Sequence, residues 1–344
     1  MKVLSRGEIK ILLSMAVVIL VLFSYGRSSA SDSDLSRLRA SIETAIPSAQ
    51  GVVGVSIKHL ESGQSLSIRG DEPFPMASTF KLPLLVELHA MVKAGTLQWE
   101  DRVDVLPTDQ HLGSSGLTAI YDPPGISLSV RNLANLMMIA SDNSAADICL
   151  RKAGAANVTA RMKALGIDRI RVDRSCQELI LDYGGRDTGR LKDMARDDLK
   201  EAMKSQPRVE TVLERFAADD RLASDPRDTA SPDAMVALLE KIWQGVAVDR
   251  PSSEAMRETL KRCRTGERRL RGLLPAAIVV MHKTGTLGGV LNDVGIIVLP
   301  GNAGSLAIAV MTKQTRATYE EVERTLANIA RYAYDYFHFT APVP

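Results

Sequence analysis

The sequence predicts an α+β fold: one antiparallel sheet formed by both ends of the chain, flanking helices, and an all-helical subdomain inserted between. Three observations carry this. Strand-like runs at 52–59 and 64–69 stand near the start, joined through the turn Glu61-Ser62-Gly63. Strand-like runs at 276–281, 293–299 and 305–312 stand near the end, the last two flanking a turn at 300–304. Between these groups, apolar residues recur mainly at helical spacing. Strands gathered at both ends, rather than alternating with helices, point to α+β.

Taken in order, 34–46 reads as a helix with Leu35, Leu38, Ile42 and Ile46 on one stripe. Ser78 opens a helix that runs to about 94 and stops at Gly95. A second helical run, 130–140, is apolar on most faces; a third follows at 145–153, and 319–336 closes the chain. The helical subdomain spans about 79–272. Within it, 174–232 is charge-rich but still periodic, with Leu191, Met194, Leu199 and Met203 on one stripe and Val209, Val212, Leu213 and Phe216 on another.

The 344 residues suffice for one large domain, placed at 31–344. Residues 1–30 differ in kind. Lys2, Arg6 and Lys10 precede a mostly apolar run at 11–26, and Ser28-Ser29-Ala30 offers small residues for cleavage. This is the pattern of a secretory signal peptide; the apolar run is short for a membrane span, so cleavage is favoured over retention as an anchor. Its loss leaves 39 of the 43 basic residues and 40 of the 41 acidic ones, a balance that argues against nucleic acid as partner. Export implies an oxidising compartment, yet Cys149, Cys176 and Cys263 allow at most one bridge, and three buried thiols are the plainer reading. The histidines lack metal-ligand spacing, so neither a metal nor any other cofactor is implied.

Three short motifs carry the chemistry: Ser78-Thr79-Phe80-Lys81, Ser141-Asp142-Asn143 and Lys283-Thr284-Gly285. Each is weak alone. Ser78 and Lys81, three apart at a helix start, share one face, where a lysine can take the proton of an otherwise poor hydroxyl nucleophile. Ser, Asp and Asn at 141–143 also suit an ordinary helix stop and cap. Together and in this order, the motifs resemble class A β-lactamases and penicillin-binding proteins, most closely the class A branch. The resemblance covers about 34–337 and implies the fold predicted above. It implies Ser78 as nucleophile, Lys81 as base, and Ser141 as relay to the leaving nitrogen. Asn143 would hold the substrate's side-chain amide, and Asp142 would pin its loop. Lys283 would bind a substrate carboxylate, with Thr284 and Thr286 beside it. Gly285 would let substrate lie against the strand edge, and the Ser78 and Thr286 N–H groups would form the oxyanion hole. His282 would face away by strand alternation.

Three departures stand out. Where many family members carry an arginine before Asn292-Asp293, this chain has Leu291; Arg269 lies where some members place a substitute, though a solvated charge is an equal reading. The segment 183–225 is longer than its family counterpart and reads as either a surface insertion or a lid. Finally, the family's Arg-x-Glu-x-x-Leu-Asn loop supplies the glutamate that activates water to release the acyl group. Without a gap, Arg174 puts Cys176 at the glutamate and Ile180 at the asparagine. With two extra residues, Glu178 and Asp182 take those places, and this register is favoured because both ends match.

The expectation is a secreted or periplasmic serine hydrolase of the class A β-lactamase type, monomeric and free of the membrane after cleavage, acting on a small β-lactam or related acyl substrate. A penicillin-binding or D-Ala-D-Ala peptidase-like enzyme, an esterase-like relative, and a β-lactam-binding protein that acylates with little turnover are the rivals.

Overall fold

The computed structural model describes residues 28–113, 116–122, 125–204 and 211–340. The chain divides into two compact units at Thr44/Ala45. The described part of the first is most of a helix, α1 (Ser28–Ala45), where the spacing of Leu35, Leu38 and Ile42 predicts one. All but the last three residues of the expected signal peptide lie outside the described residues.

The second unit is organised by a five-stranded antiparallel sheet. Its strands are β1 (Val52–His59), β2 (Ser65–Ile68), β3 (Val280–Leu287), β4 (Val290–Val298) and β5 (Ser305–Lys313), in spatial order β2-β1-β5-β4-β3. The first and last parts of the chain therefore interleave in one sheet, as expected. β5 is buried along its whole length and β4 nearly so, which requires cover on both faces of the sheet. The helix α10 (Pro232–Gln244) packs on β1, β4 and β5, and the long α12 (Tyr319–Thr340) packs on β4 and β5.

Between β2 and β3 lie α2 (Lys81–Lys93), α3 (Val130–Ile139), α4 (Asn143–Ala153), α5 (Ala155–Ala164), α6 (Cys176–Tyr183), α7 (Thr188–Leu191), α8 (Arg196–Lys204), α9 (Val212–Ser224), α10 and α11 (Arg250–Lys261). Their starts are written in the sequence: Ser129, Asp142, Ser231 and Asp249 each accept a hydrogen bond from a backbone N–H in the first turn of the helix they cap. α2 is buried over its first ten residues and joins α3, α4 and α10 in one apolar core. At two of the motifs the boundaries differ from expectation. Ser78 sits in a 3₁₀ turn, Ala77–Phe80, ahead of α2 rather than in it. The third strand begins at Val280 and runs through the Lys-Thr-Gly motif instead of ending at it.

The described residues of 183–225 carry α7, α8 and α9, and the two stripes fare differently. Leu191 and Leu199 form a small core with Leu181 of α6, against which Met194 and Met203 pack, as the first stripe predicts. The second stripe does not: Val212 is 66 % exposed and Leu213 78 %, and Val209 lies outside the described residues. α9 instead docks by Ala218, Asp219 and Leu222. The polar anchor decides its rotation. The Asp219 carboxylate accepts from Gly289 N (2.7 Å) and from the Tyr183 hydroxyl (2.9 Å), while Leu222 meets Ala77, Leu179 and Val290.

Candidate active site

The turn carrying Ser78 is held from two sides. Thr79 Oγ1 donates to Met76 O at 2.7 Å, and Asn292 Nδ2 on β4 donates to Pro75 O (2.8 Å) and Met76 O (3.1 Å). Ala77 is forced to φ 43°, a left-handed conformation that costs a non-glycine residue free energy and persists only where the surroundings impose it. β3 runs close by. A Cβ on Gly285 would stand 2.5 Å from Met76 O and 3.1 Å from Ser78 N. The glycine is thus required by the approach of strand to nucleophile turn, a packing reason the sequence did not supply.

Ser78 opens onto a cavity of about 320 Å³, walled also by Ser141, Asn143, Thr284, Thr286 and Arg269. Two lysines meet behind it. Lys81 Nζ donates to Ser141 O (2.7 Å) and Asn143 Oδ1 (2.8 Å), with Ser141 Oγ at 3.4 Å. Lys283 Nζ donates to Ser141 Oγ (2.9 Å) and Thr284 O (2.8 Å). Both side chains are fully buried, so these acceptors take the place of water around each ammonium. Ser141, itself at φ 56°, bridges the pair. Burial first, and the nearby Lys81 cation second, pull the Lys283 ammonium down to about 7. A group poised there exchanges its proton near neutrality.

Asp142 accepts from Gly116 N (3.0 Å), Leu117 N (2.9 Å) and Ala145 N (2.9 Å), pinning the loop that presents Ser141 and Asn143. Asn143 Nδ2 donates to Leu112 O at 2.9 Å. Arg269 lies in the cavity wall: Nη2 donates to Thr286 Oγ1 (2.8 Å), Nη1 to Gly285 O and Asn292 O (3.0 Å each), and Nε to Glu323 (3.1 Å). It is buried and held in place, so the reading as a solvated charge falls.

Glu178 is not brought to Ser78. It is the third residue of α6, where its carboxylate accepts from Ser175 N (2.9 Å) while Ser175 Oγ accepts from Glu178 N (3.1 Å), a closed capping box. Lys192 adds an ion pair at 3.3 Å. The carboxylate faces a second, polar cavity shared with His111, Asp147 and Lys192. Asp182, its expected companion, is held by Arg174 at 2.7 Å and by Thr188. The residues that wall the Ser78 cavity are Cys176 and Ile180, those of the ungapped register. Helix phase explains this: residues four apart share a face, whereas Glu178, two along from Cys176, points to the opposite side. Burial pushes the Cys176 thiol well above its ordinary range, so it stays neutral.

A model of the beta-lactamase enzyme family matches residues 37–337. The chain belongs to the beta-lactamase enzyme family. It is 24 % identical to Beta-lactamase VEB-1 of Pseudomonas aeruginosa, over 95 % of this chain and 99 % of that protein. It is 28 % identical to the Carbapenem-hydrolyzing beta-lactamase KPC of Klebsiella oxytoca, over 82 % of this chain and 83 % of that one. Among solved structures, a beta-lactamase from Chitinophaga pinensis superposes with a TM-score of 0.69 at 27 % identity, covering 87 % of this chain and 98 % of the other.

Within this beta-lactamase framework, two positioning roles escaped the sequence. Asn292 reaches back to fix the Ser78 turn. His282 is buried and is not in the cavity wall, although Thr284 and Thr286, of the same phase along β3, are; it is no spectator. Burial opposes its charge, yet the Asp293 carboxylate, 2.9 Å from Nδ1, prevails and lifts the imidazole to about 10.

Proposed function

We propose that this β-lactam hydrolase acylates through Ser78 and releases its acyl group slowly. One observation supports the first half above others: Ser141 Oγ stands between Lys81 Nζ and Lys283 Nζ at the edge of the Ser78 cavity. In this reading Ser78 Oγ attacks the lactam carbonyl as Lys81 takes its proton, and N–H groups at the Ser78 turn and Thr286 receive the oxyanion. The C–N bond breaks, and the lactam nitrogen collects its proton from Ser141, which Lys283 and Lys81 resupply. Asn143, Thr284, Thr286 and Arg269 orient the substrate, and the Lys283 cation meets its carboxylate.

The second half favours the reading of a β-lactam-binding protein with little turnover. Ester hydrolysis needs a base beside the acyl carbonyl, and the α6 wall offers a neutral thiol and an isoleucine there. Glu178 is engaged elsewhere. Mixing the protein with a chromogenic cephalosporin should give a burst of one equivalent, then a slow steady rate, with the acyl mass visible on the intact protein. A steady rate without a burst would refute slow release, and absence of any adduct would refute Ser78 acylation. A peptidase-like or esterase-like activity would appear as turnover of D-Ala-D-Ala peptides or simple esters in preference to lactams. We further infer that the chain is exported on residues 1–30 and works as a monomer; size-exclusion chromatography of the 31–344 product tests the latter.

A further inference from the structure

The inserted helices enclose another cavity next to the Ser78 site, with Leu179 in the wall of both. It holds about 310 Å³ and lies where α9 packs on α6. Four arginines line it. Arg174 stands just before α6 and Arg186 just after it, Arg221 on α9 and Arg227 beyond its end. The wall holds two carboxylates, and Arg174 and Arg227 share both: Asp182 at 2.7 and 3.3 Å, Asp225 at 3.1 and 2.7 Å. Asp228 adds a third carboxylate against Arg174, at 2.6 Å. Arg186 and Arg221 form no ion pair among the described residues.

Arg174 is the decisive member. Its side chain is only 7 % exposed. Its Nη1 reaches Asp182 and Asp225, both in the cavity wall, so its guanidinium head stands there. Nε and Nη1 are paired, but the buried Nη2 has no acceptor. Arg186 Nη1 is likewise buried with none. A buried donor without a partner costs free energy, and folded proteins rarely leave one so. Water would meet the two N–H groups and leave the charge. Four cations in the wall stand against two anions, or three with Asp228 counted. An anion with several oxygens meets both needs. Guanidinium forks match the oxygen edges of a phosphoryl group, with two parallel N–H···O bonds each. Leu179, Tyr183, Ala218 and Leu222 complete the lining and suit an apolar remainder.

We propose that this cavity binds a phosphoryl dianion, carried by a small phosphate monoester with an apolar remainder, and that the bound group ties α9 to α6. Its oxygens take the N–H groups of Arg174 and Arg186 on the α6 side and of Arg221 on α9. The site goes beyond the acylation of Ser78 and does not depend on it.

The test titrates the whole protein with phenyl phosphate and, separately, with inorganic phosphate. Both are read by calorimetry at constant ionic strength and about pH 8, where the dianion prevails. One equivalent of each should bind, phenyl phosphate about tenfold more tightly because its ring leaves water. Arg221→Gln, at an exposed position, and Arg186→Gln should each weaken binding about tenfold, the worth of one charge-assisted hydrogen bond. Lys261→Gln on α11 should change nothing. Bound phenyl phosphate should slow amide exchange across 212–224. Phosphorus NMR line broadening on the unaltered protein reads the same binding without any variant. No heat and no broadening would overturn the site. Binding that survives both arginine changes would overturn its placement, and equal affinity for the two probes would overturn the apolar remainder. Unaltered exchange in α9 would overturn the tie between the helices. None of these readouts uses a lactam, so failure of Ser78 acylation leaves them standing.

Discussion

The two long walls of the Ser78 cavity are built on different principles. The β3 wall concentrates charge that is buried, paired and fixed: Lys283 on Ser141 and Thr284, Arg269 on Thr286, Gly285, Asn292 and Glu323. The α6 wall presents Cys176, Leu179 and Ile180, and turns its carboxylates outward to cap a helix and pair with Lys192 and Arg174. One wall brings buried cations to the cavity; the other brings a thiol and apolar side chains and turns its carboxylates away. The difference teaches that, on the proposed reading, the two halves of one reaction are separable, because separate elements carry them.

The largest effect tests the wall that both halves share. Ser78→Ala should fold normally and lose all covalent labelling by penicillin on intact-mass analysis; surviving label would move the nucleophile elsewhere. Next, Lys81→Ala should slow acylation by ~10²–10⁴-fold, the usual worth of a general base. Lys283→Ala should harm carboxylate-bearing substrates most, and equal losses with and without the carboxylate would dissociate Lys283 from anion binding. These rates come from rapid-mixing measurements of adduct formation.

Sharpening the contrast means giving the α6 wall what it lacks. Cys176→Glu places a carboxylate on the face that meets the cavity, and should shorten the acyl-enzyme lifetime by roughly 10²-fold if only the base is missing. An unchanged lifetime in a folded variant would show that the wall is also misplaced, not merely uncharged.

The contrast also explains what the sequence could convey. Ser78, Lys81, Ser141, Asn143 and Lys283 lie in short words whose spacing survives any local detail: a 3₁₀ turn places Ser78 and Lys81 three apart as well as a helix would. The sheet was legible because short apolar runs, such as 52–57 in β1, 294–298 in β4 and 306–311 in β5, stand near both ends of the chain. The α6 loop was not, because its reading turns on helix phase, and phase is set by the Ser175–Glu178 capping box. The same box that makes Glu178 resemble a motif residue turns it away from Ser78. Likewise α9 turns differently from its apolar stripe because Asp219 accepts from the Gly289 N–H and the Tyr183 hydroxyl while Leu222 packs on Ala77, Leu179 and Val290. The roles of Asn292 and Asp293 depend on contacts more than ten residues distant, to which no local pattern points.

A smaller effect concerns pH. Burial and the Lys81 charge hold Lys283 at about 7, far below a free lysine. Its cation is therefore complete below that value and lost as pH rises through it. Acylation by a carboxylate-bearing penicillin should fall above about pH 7, and acylation by a neutral analogue should fall less. Parallel profiles for the two would place the anion-binding charge on Arg269 rather than Lys283, since a guanidinium stays charged throughout.

The smallest effect falls on Glu178, and it decides between the two registers of the loop. If Glu178 activated the hydrolytic water, its removal would lengthen the acyl-enzyme lifetime by orders of magnitude. The structure gives it different duties: two hydrogen bonds of a capping box and one half-exposed pair with Lys192. Glu178→Ala should therefore leave the acyl-enzyme lifetime unchanged. Loss of the box should cost about 1 kcal/mol, in the range measured for helix caps, and loss of the Lys192 pair should add little because solvent screens it. Gln at this position keeps the box geometry, so Glu178→Gln should restore most of that stability and still leave the lifetime alone. Thermal melts and adduct decay on the same samples separate the two duties. A lifetime that lengthens in either variant would return Glu178 to the chemistry and make the α6 wall a partner in hydrolysis.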